Sequence, residues 1–163
     1  MIPDKILRFL DQYGNLAFAG TRDHDLMPYG HRVSGWRAAE DGRTLTAFIT
    51  EGSMGHLLES LADNRSFALT IEQFPTHETY QFKGRYLRQR PLEPQDIDVV
   101  DRIRARLVKN IRPLYPKAPD VLLNWFVGTA CLAVEFQVDE VYLQTPGPGA
   151  GARLVPEEEG GRR

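Results

Sequence analysis

Five short apolar runs, punctuated by Asp and Gly turns, leave few folds open to this chain. They are Leu16–Thr21, Pro28–Arg37, Thr44–Thr50, Ser66–Gln73 and Thr79–Leu87. A polar Arg22-Asp-His-Asp25 turn separates the first two, and Glu40-Asp41-Gly42 separates the second from the third. One helical segment stands between the third and fourth. Strands joined this tightly pair antiparallel, because parallel neighbours need a crossover between every pair. The pattern therefore predicts a small antiparallel barrel and not a parallel α/β sheet.

The other elements fit around that barrel. Ile6, Leu7 and Leu10 share one side of a short segment over Pro3–Tyr13, which Gly14 ends. Leu57, Leu58 and Leu61 mark a helix within Glu51–Asn64, with Ser53 as its N-cap and Asn64 at its close. Pro94 suits the first turn of a third helix, in which Val99, Ile103, Leu107 and Ile111 recur every four residues. Pro113, Pro116 and Pro119 stiffen the connection to a short helix over Asp120–Val127. Leu132, Val134, Phe136 and Val138 alternate along a final strand, Ala130–Val138, continued by Val141–Leu143 after a bulge.

At 163 residues the chain fits one domain. We expect it to span residues 1–151, with 152–163 as a disordered tail. The Glu, Gly and Arg of that tail bury too little apolar area to offset an ordering cost of about 1–2 kcal/mol per residue.

A net charge of −2 gives no general attraction to nucleic acid. The basic run Arg102–Lys109 reads as the solvated face of a helix. No apolar stretch approaches the roughly 20 residues that span a bilayer, and the first residues lack a signal-peptide pattern. A cytoplasmic protein is expected, with neither membrane nor nucleic acid as partner. Cys131, the single cysteine, is expected as a buried, inert thiol. His24, His31, His56 and His77 show no zinc-site spacing, so no metal is expected. Gly147-Pro-Gly-Ala-Gly151 lacks the strand and helix that would aim N–H groups at phosphate, and reads as a flexible loop.

An Arg on the second strand and a hydroxyl ending the third, in this strand order, resemble the pyridoxamine 5'-phosphate oxidase-like family of FMN-binding split barrels. The resemblance runs from about Leu16 to Gly151 and is weakest over Pro94–Val127. It implies a mainly β (α+β) antiparallel split barrel with a few flanking helices, FMN as cofactor, and a homodimer whose subunits share each flavin site. In that family a second-strand Arg, four intervening residues and a Lys contact the FMN phosphate and ring edge. Arg32-Val-Ser-Gly-Trp-Arg37 keeps that spacing with Arg in place of Lys, which preserves an anion site and changes its geometry. Thr50 matches the family's third-strand hydroxyl. Ser53 falls at the helix start, where N–H groups and the helix dipole favour an anion.

The family's Arg-Lys pair at that helix start is replaced by Ser53-Met-Gly-His56-Leu57, where only His56 can become cationic. On the fifth strand Gln81 matches a Gln that the second subunit sets against the flavin, and a count back from Gly84 gives Thr79 instead. The C-terminal Arg and Trp of true pyridoxamine phosphate oxidases have no counterpart after Gly151. The site set is therefore Arg32, Arg37, Thr50, Ser53, His56 and Gln81. Two functions stay open: an FMN-dependent oxidoreductase with a small-molecule substrate or electron donor, and a non-catalytic module binding flavin or haem.

Overall fold

The computed structural model describes residues 1–154 apart from 13, 53 and 75. Six antiparallel strands close a barrel: β1 (Asn15–Arg22), β2 (Pro28–Ala38), β3 (Thr44–Thr50), β4 (Ser66–Gln73), β5 (Thr79–Arg90) and β6 (Ala130–Leu143). Around the wall they run β1-β2-β3-β6-β5-β4, and β4 returns to β1. The last strand thus lies between the third and the fifth. The chain has the mainly β barrel with flanking helices that its turns and alternation predict.

Ala17 and Ala19 of β1, Phe67, Leu69 and Ile71 of β4, and Tyr80 and Phe82 of β5 point inward. They meet Leu45, Ala47, Ile49, Val134, Phe136 and Val138 in one core. β3 is buried on both faces except at Thr44. β5 reaches Arg90, three residues beyond the apolar run. Its last turns are joined to β6 by charge, with Arg88 and Arg90 bonded to Glu135 at 2.7 and 3.0 Å. The bulge expected in the final strand falls between Val138 and Glu140.

Four helices flank the barrel. α1 (Asp4–Leu10) buries Ile6, Phe9 and Leu10 and accepts the Trp36 Nε1 hydrogen at Leu10 O, 3.0 Å. It ends at Leu10, before the expected Gly14 stop. α2 (Leu57–Asn64) is shorter than expected. His56 is its N-cap, and Ser53 lies outside both the helix and the described residues. α3 (Pro94–Ile111) starts with Pro94 in its first turn and lays Val99, Val100, Ile103, Leu107 and Ile111 on the core. Each such side chain contributes about 1.5–3 kcal/mol relative to exposure. α4 (Asp120–Val127) closes the helical segment before β6.

The segment after β6 is tied down further than the expected boundary at 151. Gly151 N bonds Leu143 O at 2.7 Å, and Leu154 N bonds Val141 O at 2.7 Å. Arg153 pairs with Tyr142 and with Glu140 at 2.9 Å. The Gly147–Gly151 loop is thus a hydrogen-bonded turn, and residues 155–163 lie outside the described residues.

Candidate functional site

The site is best built outward from Arg32. Its neighbour across β1 is Phe18, which pairs with Thr70 on β4; Thr70 pairs with Gln81 on β5, and Gln81 with Tyr142 on β6. Directly paired residues point to the same side of a sheet, so these five side chains form one row on the outer wall. Three strand spacings separate Arg32 from Gln81, about 14 Å around the wall. The Gln81 amide is oriented by its bond to Thr70 Oγ1 at 3.1 Å. Beside this row runs a second, Gly30–Gly20–Ala68–Lys83, whose first three members carry almost no side chain. A Cβ at Gly30 would meet nothing within 4 Å, and one at Gly20 only Tyr29 O at 4.0 Å. The wall is therefore open above Gly30 and Gly20 and flanked by Arg32 and Phe18.

At the Arg32 end, α4 closes over the row. The Arg32 guanidinium lies 4.3 Å from the centre of the Trp125 ring and donates Nη2–H to Trp125 O. Ser34 Oγ donates to Val127 O at 3.0 Å, and Arg104 Nη2 to Gly128 O at 3.0 Å. These groups satisfy carbonyls that a helix C-terminus leaves without intrahelical partners. Gly128 has φ +71°, and a Cβ there would sit 2.8 Å from Thr50 Cγ2. Only glycine lets the chain turn from α4 into β6 this close to Thr50. Thr50 itself is buried, and its Oγ1 donates to the Arg32 carbonyl at 3.2 Å. Arg32 and Thr50 are thus brought together, the side chain of one and the hydroxyl of the other fixing opposite ends of the same residue.

Arg37 is placed elsewhere. A register shift between Val33 and Gly35 breaks the simple count along β2, and Arg37 Nη2 lies 3.3 Å from Asp96 Oδ1 at the start of α3. Asp96 is fully buried and also receives Arg90 Nη1 at 2.5 Å and Glu93 N at 2.9 Å. Burial pushes its carboxyl up, but the Arg90 and Glu93 hydrogen bonds and the charges of Arg90 and Arg37 outweigh it. The carboxyl is held below its ordinary range. Hydrogen bonds from Arg88 and then Arg90 likewise hold Glu135 low, against its burial. Arg37 thus belongs to an internal ion network rather than to the Arg32 end of the row.

His56 is also apart from Arg32. Its ring stacks on Tyr29 at 4.3 Å, three residues before Arg32 and so on the other face of β2, and Nδ1 lies 3.3 Å from Glu59. Thr79 is buried at the start of β5, donating to His77 O at 2.8 Å and accepting no place in the Arg32 row. Cys131 is exposed, not buried as expected, because it points outward from β6 with Sγ 3.5 Å from Ile49 O. Partial burial and the Glu51 charge still push its thiol up. Trp125, Ser34 and Gly128 were not foreseen as site residues. The Gly128-Thr129 break after an apolar helix was the one local signal, a glycine just past a helix end.

Among the described residues, no three His, Cys, Asp or Glu side chains could hold a metal ion. Among the described residues no helix is long and apolar enough to cross a membrane.

No protein-family profile matches the sequence, and no curated protein matches it. Solved structures do. HupZ of Group A Streptococcus superposes with a TM-score of 0.53 at 15% identity, covering 93% of this chain and 99% of its own. An F420 reductase gives 0.50 at 12% identity, covering 80% and 91%. A protein of the pyridoxinephosphate oxidase family from Clostridium acetobutylicum gives 0.46 at 12%, covering 94% and 96%. At these identities the likeness is one of fold. That fold is an antiparallel β-barrel with flanking helices, shared with HupZ and the F420 reductase and of the class expected from the sequence.

Proposed function

We propose that the protein binds FMN on the outer wall between Arg32 and Gln81 and acts as a flavin oxidoreductase. The observation that carries this reading is the row itself. It joins a fixed cation beside Thr50 to an oriented carboxamide, along a strip where Gly20 and Gly30 leave room for a flat ring. A neighbour in fold is an F420 reductase, which lends support to redox chemistry on this barrel. FMN, when bound, supplies hydride or electron transfer. The chain's own part is to hold the phosphate at Arg32, cover it with α4, and present Gln81 to the ring edge. In this reading the phosphate takes the place of the Trp125 carbonyl at the guanidinium. Ser53 remains a proposed phosphate ligand, and a small molecule serves as substrate or electron donor.

Phe18, 55% exposed in the middle of the row, is covered by a second copy of the chain, which makes the working unit a cytoplasmic homodimer. A sedimentation mass of 18.5 kDa at micromolar concentration would refute the dimer.

A second reading is a binding module for flavin or haem without turnover. The commitment of Arg37 to Asp96 favours it, since it withdraws a fixed cation from the ligand. The absorption spectrum of the purified protein separates the cofactors, and reduction of bound flavin by a nicotinamide donor separates enzyme from module. Arg32→Ala is expected to weaken FMN about ten- to a hundredfold, the loss of a charge-assisted hydrogen bond. Unchanged affinity would remove Arg32 from the site.

A further inference from the structure

A cavity of about 320 Å³ opens between the end of α1, the start of β1, the end of β4 and the last turns of α3. It shares no residue with the Arg32 row. Gln12, Asn15, Gln73, Arg106, Lys109 and Asn110 line it: two cations, four carboxamides and no carboxylate. Asn15 is 2% exposed, and its Nδ2 is a buried donor with no hydrogen-bond partner. Folded chains rarely leave such a donor unmet unless something else meets it. Arg106 and Lys109 form no ion pair among the described residues. Arg106 is also held in position, because Gly14 packs so closely that a Cβ there would lie 2.5 Å from Arg106 Cγ.

We propose that this cavity binds a small organic anion. Its phosphate or carboxylate group lies between Arg106 and Lys109 and accepts the Asn15 Nδ2 hydrogen. Arg106 supplies a planar fork of donors suited to either oxyanion, and Lys109 a compact charge. Asn110 Nδ2 already donates to Gly14 O and Phe74 O, at 3.5 and 3.4 Å, which leaves its Oδ1 to accept from a hydroxyl group next to that charge, and the carboxamides of Gln12 and Gln73 line the space beside it. Gln73 is already turned into place, donating to Gln12 Oε1 at 2.5 Å and accepting from Thr76 Oγ1 at 2.9 Å. The volume is at the small end of ligand pockets, which run from about 300 to 1,000 Å³. It suits a molecule the size of a small phosphate monoester or dicarboxylate.

Calorimetric titration of the full chain with inorganic phosphate, glycerol 3-phosphate and malonate, at ionic strength matched with sodium chloride, tests this. Saturable binding of at least one probe is expected. Arg106→Glu and Lys109→Glu, both at exposed positions, should each weaken it at least tenfold, and Asn15→Asp at least as much. Should Asn15→Asp fail to fold, the two exposed variants carry the test. Preference for the phosphates identifies phosphate esters as the ligand class, and preference for malonate identifies dicarboxylates. No saturation by any probe would overturn the proposal, as would equal affinity in Arg106→Glu and Lys109→Glu. If these cations serve only the negative C-terminal end of α3, their reversal will lower the melting temperature and leave affinity unchanged. Binding should survive in Arg32→Ala, which keeps this site distinct from the flavin reading.

Discussion

Replacing Asp96 by Ala should be among the most damaging single changes in the chain. Its carboxylate is fully buried, accepts from Arg90 and the Glu93 amide and pairs with Arg37, so its loss strands Arg90, only 16% exposed, without its shortest partner. Breaking a buried ion pair from one side costs about 3–5 kcal/mol. Glu135, 3.0 Å from Arg90, still compensates part of that charge, which puts the expected loss near the lower figure. Against a total stability of about 5–15 kcal/mol, that is a large fraction. With a urea slope of roughly 1–3 kcal/mol/M, the midpoint should fall by at least about 1 M at pH 7.

The dependence on pH gives a second reading of the same quantity. A carboxyl held below its unfolded value stabilises the fold above about pH 4 and stops doing so as pH falls through the folded value. The gap between wild type and Asp96→Asn should therefore narrow below about pH 4 and stay constant from pH 5 to 8. A midpoint for Asp96→Ala within error of wild type at pH 7 would refute the account. So would a gap between wild type and Asp96→Asn that is the same at pH 3 and pH 7.

Three further outcomes are expected. Trp125→Ala removes the ring stacked on Arg32, worth about 0.5–1 kcal/mol at an exposed site, and should tighten FMN about two- to fivefold if phosphate and Trp125 compete for Arg32; weaker binding in a fluorescence titration would mean that the ring helps hold the flavin. Gly128→Ala forces a side chain into φ +71° against Thr50 and should cost about 2 kcal/mol or more in chemical denaturation. Cys131, exposed yet with its thiol pushed up by burial and Glu51, should react with iodoacetamide more slowly than free cysteine at pH 8 and catch up as pH rises.

The barrel was legible because its signals are local. Alternation fixed β3 and β4 to the residue, and the Pro94 start and four-residue spacing fixed α3. β5 ran past its predicted end since Arg88 and Arg90 pair with Glu135 by charge, which apolar alternation does not register. α2 began late because the residues before Leu57 form a turn, leaving His56 rather than Ser53 at the cap position. The site was less legible. Arg32 and Thr50 meet because β2 and β3 are neighbours, but Arg37 looked equivalent only on a straight count along β2. The irregularity between Val33 and Gly35, and a buried carboxylate on the distant α3, redirect it. Trp125 reaches Arg32 across 93 residues, a distance at which one sequence carries no pairing signal.

β6 is the last strand made and the one that pairs with both β3 and β5. Until the ribosome has released the chain through Leu143, two strands stand with open edges, and the barrel cannot close on any earlier intermediate. Such edges are templates for pairing with other chains. The hazard is therefore one of timing: aggregation should respond to translation pauses and truncations within Ala130–Leu143 far more than to equivalent changes near β1. A chain stopped before β6 should be found in inclusion bodies or with chaperones even though each of its five remaining strands retains a neighbour on at least one side through a turn.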